Sequence, residues 1–369
     1  MKVAYMLGSL NTGGIEILAL DIFSSINPED VELIGIHRKK GTLYKSFIET
    51  QIPLIELNFT TFFFLKYVIK LRRLIVSQNI SIIHCHTAMD ALLSYIAKTG
   101  LKTKLVISFH GRYWNSNDIN GLSTRFICRN ADKICFVSHA QKKFYLAKFN
   151  LKQSPKMVVL YNGISLRKFD LAKSVNMRKQ LNIRDDSLLL GTVGNFTSGK
   201  DHMTICKFLR LLKSTSENFH FLFIGEKASQ EPDVYNNCVT FCEQNELSQQ
   251  VHFLGSRHDV PSILRDLDAF IYSTAHDTFG ICLVEAMYMK IPVFVNDYEV
   301  MMEITRNGKY AEIYKSGDEA DLFNKFEHVF LNINTKRMNK LSFSEFVRDN
   351  YSIETHLHHL NKIYQELAV

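Results

Sequence analysis

Short runs of aliphatic and β-branched residues alternate with longer amphipathic segments along nearly the whole 369-residue chain. A buried parallel strand is a short continuous apolar run, whereas a helix that covers a sheet repeats its apolar residues every three or four positions. The first half therefore predicts strands at 2–7, 31–37, 53–57, 81–84, 104–109, 133–137 and 157–161, and helices at 16–25, 62–78, 88–98, 124–130 and 140–150.

The second half repeats the alternation of strand and helix. It predicts strands at 188–194, 219–225, 251–254, 269–272, 292–295 and 311–313, with helices between them. Regular alternation indicates a parallel sheet covered by helices on both faces. The expected fold class is α/β, with two doubly wound domains and a ligand cleft at the carboxyl ends of their strands.

The length of the chain favours two domains. Asn162 and Gly163 end the last predicted strand of the first half, and the polar stretch 165–173 that follows has no clear period. We place the boundary in that stretch, which gives domains at 1–168 and 169–350. The last segment, 351–369, is predicted to be helical.

Composition narrows the class of protein. Hydrophobic residues make up 46% of the chain and charged residues 22%, and no apolar run reaches the roughly 18 residues of a membrane span. Seven cysteines without a CxxC motif fit reduced thiols, so we expect a cytoplasmic enzyme. The net charge of +7 favours an anionic ligand or an anionic membrane surface.

Two carboxylates, Asp277 and Glu285, stand on either side of Gly280 at the start of an apolar helix. Their spacing places Asp277 in the loop and Glu285 about one turn inside the helix, with both directed at the same cleft. Ionised carboxylates accept hydrogen bonds from vicinal hydroxyls, and the amides after Gly280 favour a phosphate. The pattern is typical of a sugar nucleotide site, although a capping aspartate and a solvated glutamate explain the same residues.

Two other strand ends carry residues suited to a phosphate. Gly13 and Gly14 follow the first strand and open a helix, where backbone amides can approach a phosphate or a sugar. This is not the GxGxxG fingerprint, so no nicotinamide cofactor is expected. Lys200 follows the first strand of the second half, where a cation can neutralise a diphosphate leaving group. A plain turn and an exposed surface lysine are the alternatives.

Histidines mark two strand ends of the first half. The fourth predicted strand leads into His86 and the fifth into His110. An imidazole on the cleft rim can bond a substrate hydroxyl or a leaving phosphate, and His110 is the stronger candidate. A metal site of His84, Cys85, His86 and His110 is the alternative. Alternate residues of an extended segment point to opposite faces and match no usual zinc spacing, so we expect no metal.

Taken in chain order, these pieces resemble the retaining glycosyltransferases of family 4, which have the GT-B fold. The resemblance spans nearly the whole chain, and the combined order is far more specific than any single piece. It is carried by Gly13-Gly14-Ile15-Glu16, Ile83-His84-Cys85-His86, Phe109-His110-Gly111, Val137-Ser138, Tyr161-Asn162-Gly163-Ile164, Val193-Gly194 through Lys200, Phe253-Leu254-Gly255, and Asp277 through Glu285-Ala286.

The resemblance implies a nucleotide-sugar donor held mainly by the C-terminal domain and an acceptor held mainly by the N-terminal domain. It also implies no essential metal or other cofactor, and a C-terminal helix that crosses back onto the first domain. By this likeness Glu285 binds the ribose hydroxyls, Asp277 the transferred sugar and Lys200 the diphosphate. His110 lies at the anomeric carbon, and Gly14 contacts the donor phosphate or the acceptor loop.

The implied site residues form three sets. The catalytic set is His110, Lys200 and Asp277. The donor-binding set is Gly14, Asn195, Lys200, Asp277, Phe279, Gly280, Ile281 and Glu285. The acceptor-side set is Gly13, Glu16 and His86.

Two positions depart from the family pattern. The family usually has arginine five residues before the lysine, where this chain has Asn195, and glutamate as the first acidic residue, where it has Asp277. Asparagine supplies no charge, so leaving-group stabilisation depends more on Lys200. Aspartate is one methylene shorter, so the sugar must lie closer or be bridged by water.

The predicted reaction is transfer of a hexosyl unit, with retention, from a nucleoside diphosphate sugar to a saccharide or lipid-linked acceptor in polysaccharide or glycolipid synthesis. A nucleotide-sugar epimerase of the same fold and a catalytically impaired sugar-nucleotide-binding module are the alternatives. Products formed from donor alone identify an epimerase, and tight donor binding without turnover identifies the binding module. No nucleic acid partner is expected.

The segment 59–75 is both aromatic and basic. It is either an ordinary helix that covers the sheet or a basic amphipathic helix on a membrane, and the two faces of one helix can serve both roles. The second interpretation predicts peripheral contact with the inner face of a membrane. The residues concerned are Phe62, Phe63, Phe64, Tyr67, Lys66, Lys70, Arg72 and Arg73.

Overall fold

A computed structural model describes residues 1–59, 64–112, 115, 117–330 and 340–368, without the side chains of 340–342. The chain divides into two compact units. Met1–Ile164 and Tyr351–Val369 form the first unit, and Ser165–Asn350 form the second. The division therefore falls four residues before the boundary at 168 that the sequence suggests.

The first unit contains a seven-stranded parallel sheet. Its order is β3-β2-β1-β4-β5-β6-β7. Strands β2 and β3 therefore lie on one side of β1, and strands β4 to β7 lie on the other side. This reversal makes the β1/β4 junction a topological switch point, where the loops diverge and leave a crevice. The strands are β1 (Lys2–Ser9), β2 (Glu32–Lys39), β3 (Leu54–Glu56), β4 (Ile82–Cys85), β5 (Lys104–Phe109), β6 (Lys133–Phe136) and β7 (Met157–Val159).

Helices cover both faces of this sheet. Successive side chains of a strand point to opposite faces, so Ala4 and Met6 of β1 pack into one apolar cluster while Val3, Tyr5 and Leu7 pack into another. The first cluster is covered by α3 (Phe64–Ser77), α4 (Ala88–Lys98), α5 (Ile119–Asn130) and α6 (His139–Lys148), and the second by α1 (Gly14–Ser25), α2 (Tyr44–Glu49) and the C-terminal α16 (Ile353–Ala368).

The C-terminal helix belongs to the first unit, as the resemblance implied. Ile164 and Ser352 form a parallel bridge, with the Ile164 amide donating to the Tyr351 carbonyl at 2.9 Å. A Cβ on Gly163 would lie 2.8 Å from the Cα of Ile353, so the glycine lets the two segments approach closely. Leu360 of α16 is fully buried in the second cluster.

The second unit contains a six-stranded parallel sheet in the order β10-β9-β8-β11-β12-β13. Its switch point lies between β8 and β11. Phe221 and Phe223 of β9 are fully buried in its core. The strands are β8 (Leu188–Val193), β9 (Phe219–Ile224), β10 (Val251–Gly255), β11 (Ala269–Tyr272), β12 (Val293–Asn296) and β13 (Glu312–Tyr314).

Helices connect the strands of the second unit, and the contacts of the first helix show where this unit begins. The first of them carries Asp170, which accepts a 2.6 Å hydrogen bond from the Tyr288 hydroxyl, and Phe169, whose ring contacts the Tyr288 ring. Residues 165–168 therefore belong to this unit. The helices are α7 (Leu166–Asp170), α8 (Met177–Gln180), α9 (His202–Thr215), α10 (Pro232–Gln244), α11 (Val260–Asp266), α12 (Ile281–Tyr288), α13 (Glu299–Ile304), α14 (Glu319–Phe330) and α15 (Lys340–Tyr351).

All thirteen strands predicted from the sequence are present, each within two residues of its predicted ends. The hydrophobic pattern did not predict the short α2, and it placed the start of α5 five residues too late. Asp118 caps that helix by accepting a 2.7 Å hydrogen bond from the Gly121 amide, so the helix starts before its apolar period becomes regular. Phe62 and Phe63 lie outside the described residues. None of the described helices combines the length and the apolar character needed to cross a membrane.

Candidate active site

Lys200 and Asp277 follow the two strands that meet at the switch point of the second unit. Lys200 ends the loop after β8, and Asp277 lies in the loop after β11. The two loops are joined by an antiparallel bridge between Lys200 and Thr274, and the Thr274 hydroxyl donates to the Gly199 carbonyl at 2.8 Å. Backbone pairing therefore fixes the relative position of two residues that are far apart in sequence.

The two side chains form a largely buried ion pair. The Lys200 Nζ lies 2.6 Å from Asp277 Oδ2, and the side chains are only 19% and 15% exposed. The Tyr272 hydroxyl donates to the same carboxylate oxygen at 2.5 Å and is also hydrogen-bonded to the Lys200 ammonium. Asp277 and Tyr272 thus hold the Lys200 ammonium in a fixed position.

Electrostatics keep this pair ionised at neutral pH. Burial alone would raise the pKa of Asp277, but the Lys200 charge and hydrogen bonds from Lys200 and Tyr272 lower it to about 2. Burial alone would lower the pKa of Lys200, but Asp277 raises it above its ordinary value. Burial beside Asp277 also raises the pKa of Tyr272, so its hydroxyl keeps its proton.

The other oxygen of Asp277 shapes the turn into α12. Oδ1 accepts hydrogen bonds from the amides of Thr278, at 2.7 Å, and Phe279, at 3.2 Å. Gly280 then adopts a left-handed φ of +83°, and a Cβ there would lie 3.1 Å from the Met301 methyl group. Only glycine adopts this conformation without strain, and α12 begins at the next residue, Ile281.

Glu285 lies one turn inside α12 and is half-buried. It is close enough to Cys282 to influence that thiol. Burial and the Glu285 charge raise the pKa of Cys282 to about 11, although the Lys200 charge opposes them. The charges of Glu285 and Lys200 therefore both reach the Cys282 thiol and act on its pKa in opposite directions.

Asn195, which replaces the arginine of the family pattern, holds a neighbouring loop. Its Oδ1 accepts a 3.0 Å hydrogen bond from the Glu226 amide, just after β9. A Cβ on Gly225 would lie 2.0 Å from the Gly194 carbonyl oxygen, so the two loops touch through their backbones. The amide oxygen of Asn195 thus fastens the β8 loop to the β9 loop beside Lys200.

In the first unit, His86 and His110 follow the adjacent strands β4 and β5. His86 Nδ1 lies 2.9 Å from His110 Nε2, and the His86 ring packs on Tyr5 with centroids 4.4 Å apart. His86 is 94% buried, and its Nε2 has no hydrogen-bond partner among the described residues. The two histidines that follow these strands therefore lie in contact at one edge of the sheet.

The histidines are neutral at physiological pH. Burial is the main cause and lowers the pKa of His110 and that of His356 of α16 to about 4 each. It also lowers the pKa of His84 and His86. The two ring nitrogens of His84 are 2.6 Å from the Tyr364 hydroxyl and 2.8 Å from the Ser108 hydroxyl. His84 therefore anchors the C-terminal helix rather than a ligand.

The four residues of the metal alternative, His84, Cys85, His86 and His110, do not lie on one face of the sheet. Within residues 1–59, 64–112, 115, 117–330 and 340–368, no three His, Cys, Asp or Glu side chains are grouped so that they could hold a metal ion. Cys85 packs in the cluster under α3 to α6, on the opposite face of β4 from His84. The alternation of an extended strand explains this separation.

Gly13 and Gly14 begin α1 after β1. Gly13 is the N-cap residue, with extended backbone and no side-chain cap. The Glu16 carboxylate lies directly over Gly13: a Cβ added to Gly13 would be only 2.5 Å from Glu16 Oε2. Burial raises the pKa of Glu16. A carboxylate thus lies near the first amides of α1, where the sequence suggested a phosphate.

Acid should destabilise the fold through its buried histidines. Their pKa is below the unfolded value near 6.5, so the unfolded chain binds more protons and stability falls as pH drops from 6.5 toward 4. Between pH 7.5 and 5, His110 and His356 each account for a loss of about 2 kcal/mol. Thermal unfolding followed over this range measures the loss.

The matched variants for this experiment lie on one helix. His356 is 6% exposed, and His358 is exposed. His356→Gln should make the pH dependence shallower than that of the wild type and of the His358→Gln variant. Equal slopes in the wild type and the His356 variant would contradict the assignment.

Comparison with known proteins identifies the family. Residues 174–342 match Glycosyl transferases group 1, and residues 12–168 match Glycosyltransferase Family 4. The chain belongs to glycosyltransferase family 4. The O-antigen biosynthesis glycosyltransferase WclY of Escherichia coli is similar to it, with 23% identity over 316 residues, which are 82% of each chain.

Solved structures show the same fold as this glycosyltransferase. A glycosyltransferase from Rickettsia africae has a TM-score of 0.86 at 21% identity, over 98% of both chains. HepE of Anabaena, in complex with UDP-glucose, has a TM-score of 0.83 at 18% identity, over 100% of this chain and 99% of the other. The GT-B fold expected from the sequence is confirmed.

Two residues of this glycosyltransferase's second unit were missed by the sequence analysis. Tyr272 is the last residue of β11, and only its strand-end position at a switch point could have marked it. Asn296 ends β12; its side chain accepts from the Thr274 amide at 3.1 Å and donates to the Thr274 carbonyl at 2.8 Å. It braces the segment that carries the Lys200 bridge.

Proposed function

We propose that this glycosyltransferase moves a hexosyl unit, with retention, from a nucleoside diphosphate sugar to a saccharide or lipid-linked acceptor. The observation that carries the proposal is the buried pair of Lys200 and Asp277 at the switch point, with Glu285 one turn inside the adjoining helix. A cation suits a diphosphate, and a carboxylate suits the ribose diol. The complex of HepE with UDP-glucose supports a donor of this class, and the O-antigen relative supports a role in polysaccharide synthesis.

Lys200 acts on the leaving group. When the bond between the anomeric carbon and the diphosphate breaks, negative charge grows on the phosphate, and a preorganised ammonium stabilises it. Asp277 and Tyr272 fix the ammonium before the reaction, so little reorganisation is needed. Asp277 orients Lys200 and the turn before α12, and we also assign it to binding of the transferred sugar.

The reaction balances without a separate protein nucleophile. The bond from the anomeric carbon to the phosphate oxygen breaks, and a bond to the acceptor oxygen forms on the same face. The departing phosphate takes the acceptor proton, which leaves a nucleoside diphosphate and a retained glycoside. His110, neutral because its pKa is about 4, supplies a hydrogen bond near the anomeric carbon rather than a charge.

We also propose that the reaction needs no metal or other cofactor, since Lys200 provides the positive charge a divalent ion would otherwise supply. A cytoplasmic site is proposed because all seven cysteines are unpaired thiols. His86, Gly13 and Glu16 are assigned to the acceptor side, and Gly14, Asn195, Phe279, Gly280 and Ile281 to the donor.

A thermal-shift screen of nucleoside diphosphates and their sugars tests the proposal, because a ligand that binds only the folded state raises the melting temperature. The best donor is then incubated with saccharide acceptors, with and without chelator. We expect transfer that chelator leaves intact. Conversion of donor alone to an epimer, or tight binding without turnover, would contradict the proposed reaction.

Glu285→Gln should weaken donor binding by about ten- to a hundredfold, because a charge-assisted hydrogen bond to a diol contributes roughly 1.5 to 3 kcal/mol. Titration calorimetry with the nucleoside diphosphate measures the change. Glu243→Gln, an exposed glutamate of α10, is the control. An unchanged affinity in the Glu285 variant would remove the ribose assignment.

A further inference from the structure

The exposed apolar side chains of the protein are concentrated on one face of the first unit. The described residues expose eleven large apolar side chains, and eight of them lie on α3, α4 and α5. Scattered single apolar residues are ordinary on a surface, whereas a concentration marks an interaction site. The eight are Phe64, Leu65, Ile69, Val76, Ile96, Ile119, Leu122 and Phe126.

The three helices lie side by side. The Arg72 guanidinium of α3 donates to the carbonyl oxygens of Ala97, at 2.9 Å, and Thr99, at 2.7 Å, at the end of α4. On the other side of α4, the Tyr95 ring contacts the Phe126 ring of α5, with centroids 5.2 Å apart. Their inward faces cover the sheet, so their outward faces form one surface.

Apolar and basic residues form separate stripes on α3. Leu65, Ile69 and Val76 lie on the side of Arg72, which faces α4, and are 51% to 62% exposed. Lys66, Lys70 and Arg73, spaced four and three residues apart, form an exposed basic stripe on the side away from α4. Tyr67, Val68, Leu71 and Ile75 are the buried residues on the third side.

On α5, too, the apolar stripe lies next to α4 and the basic residues lie farther from it. Ile119, Leu122 and Phe126 lie on one stripe, on the side that contacts α4. Arg125 and Arg129 are exposed on the adjacent side, farther from α4. The surface therefore has an apolar centre, with Ile96 of α4 in it, and a basic margin on each side. We call it the α3–α5 face.

The charges on the α3–α5 face have one sign. The three helices contain a single acidic residue, Asp90, which is 2% exposed and paired with Arg38. The Asp118 carboxylate, just before α5, accepts a hydrogen bond from the Gly121 amide. A surface that combines exposed apolar side chains with basic margins complements anionic headgroups above an acyl layer.

We propose that the α3–α5 face docks on an anionic lipid bilayer, with its apolar side chains entering the boundary between headgroups and acyl chains. Phe64, Leu65 and Ile119 lie in the first turns of α3 and α5, at the edge where the parallel strands end and where His86 and His110 lie. Docking through Phe64, Leu65 and Ile119 brings this edge close to the bilayer. Its use to receive a lipid-linked acceptor rests on the proposed function, but the docking itself does not.

Vesicle sedimentation of the full chain tests the docking without any donor or acceptor. We expect binding to vesicles that contain phosphatidylglycerol, weak binding to pure phosphatidylcholine vesicles, and loss of binding at high salt. A variant with Lys66→Gln, Lys70→Gln and Arg73→Gln should bind about a hundredfold more weakly. A variant with Leu65→Gln, Ile69→Gln and Leu122→Gln should bind at least about tenfold more weakly.

The control lies on the opposite face of the sheet. Ile48 on α2 is 51% exposed, as Ile69 is, and Lys45 beside it is also exposed. Ile48→Gln with Lys45→Gln should bind like the wild type. All substituted side chains are exposed, and melting curves verify that each variant is folded.

Three outcomes would overturn the proposal. The first is equal binding of anionic vesicles by the wild type and both α3–α5 variants, and the second is no binding by the wild type. The third is a dimer, seen in sedimentation velocity, that the variants abolish while vesicle binding is unchanged. The last outcome would assign the face to a second copy of the chain. Each of them leaves donor binding and transfer to be judged separately by the thermal-shift screen.

Discussion

Lys200→Met should lower kcat by about 100- to 1000-fold and change donor affinity much less, because the ammonium acts mainly on charge that develops at the leaving phosphate. Methionine keeps most of the apolar stem of the side chain and removes the ammonium group, with its charge and its hydrogen-bond donors. Steady-state kinetics with the donor found in the thermal-shift screen separate kcat from KM. A variant in which only KM rises would show that Lys200 binds ground state and transition state equally.

The same substitution should destabilise the second unit, and this effect must be separated from catalysis. Without Lys200 the Asp277 carboxylate remains largely buried without its counter-charge, and breaking a buried pair costs about 3 kcal/mol or more. The double variant Lys200→Met, Asp277→Asn removes both charges and should regain part of that stability. Its kcat should stay low. Recovery of both properties together would make the role of Lys200 structural.

His110→Ala should lower kcat by about ten- to a thousandfold with a smaller change in KM, since the imidazole contributes only while the sugar is transferred. The ring is held by its contact with His86 Nδ1 at 2.9 Å, and its pKa of about 4 keeps it neutral. His110→Asn keeps a hydrogen-bonding group and should recover part of the rate. Because the ring is neutral, kcat should not follow a histidine titration between pH 6 and 8.

The control for this experiment is His358→Ala, an exposed histidine of the first unit. It should leave kcat unchanged. A His110→Ala variant as active as this control would remove His110 from the catalytic set, and the neutral His86 next to it would become the candidate.

The fold could be read from the sequence because both sheets are parallel and fully covered by helices. Buried strands such as β11 (Ala269–Tyr272) then appear as short continuous apolar runs, between longer segments with the helical period. The boundaries were less predictable, because they depend on single contacts. Asp170 with the Tyr288 hydroxyl assigns α7 to the second unit, and Asp118 starts α5 early.

The candidate site could be predicted only as far as strand ends are visible in the sequence. Lys200, His86 and His110 were singled out because each follows a predicted strand, and Asp277 because it pairs with Glu285 across Gly280 at the start of an apolar helix. The contact between Lys200 and Asp277 depends on sheet order, since β8 and β11 become neighbours only when the strand order is known. Tyr272 is the last residue of an apolar strand that looks like the other apolar strands in the sequence. The hydrophobic pattern therefore does not indicate that its hydroxyl contacts Lys200 and Asp277.

The configuration of the sugar released by slow hydrolysis of the donor tests the proposed reaction most directly. Water replaces the acceptor in this experiment, so the acceptor need not be known. An α-linked nucleoside diphosphate hexose is incubated with the wild type and with Lys200→Met, and the anomer formed first is observed by proton NMR before mutarotation. The account predicts the α anomer, released by the wild type and not by the variant. Initial release of the β anomer, or equal release by the two proteins, would contradict it.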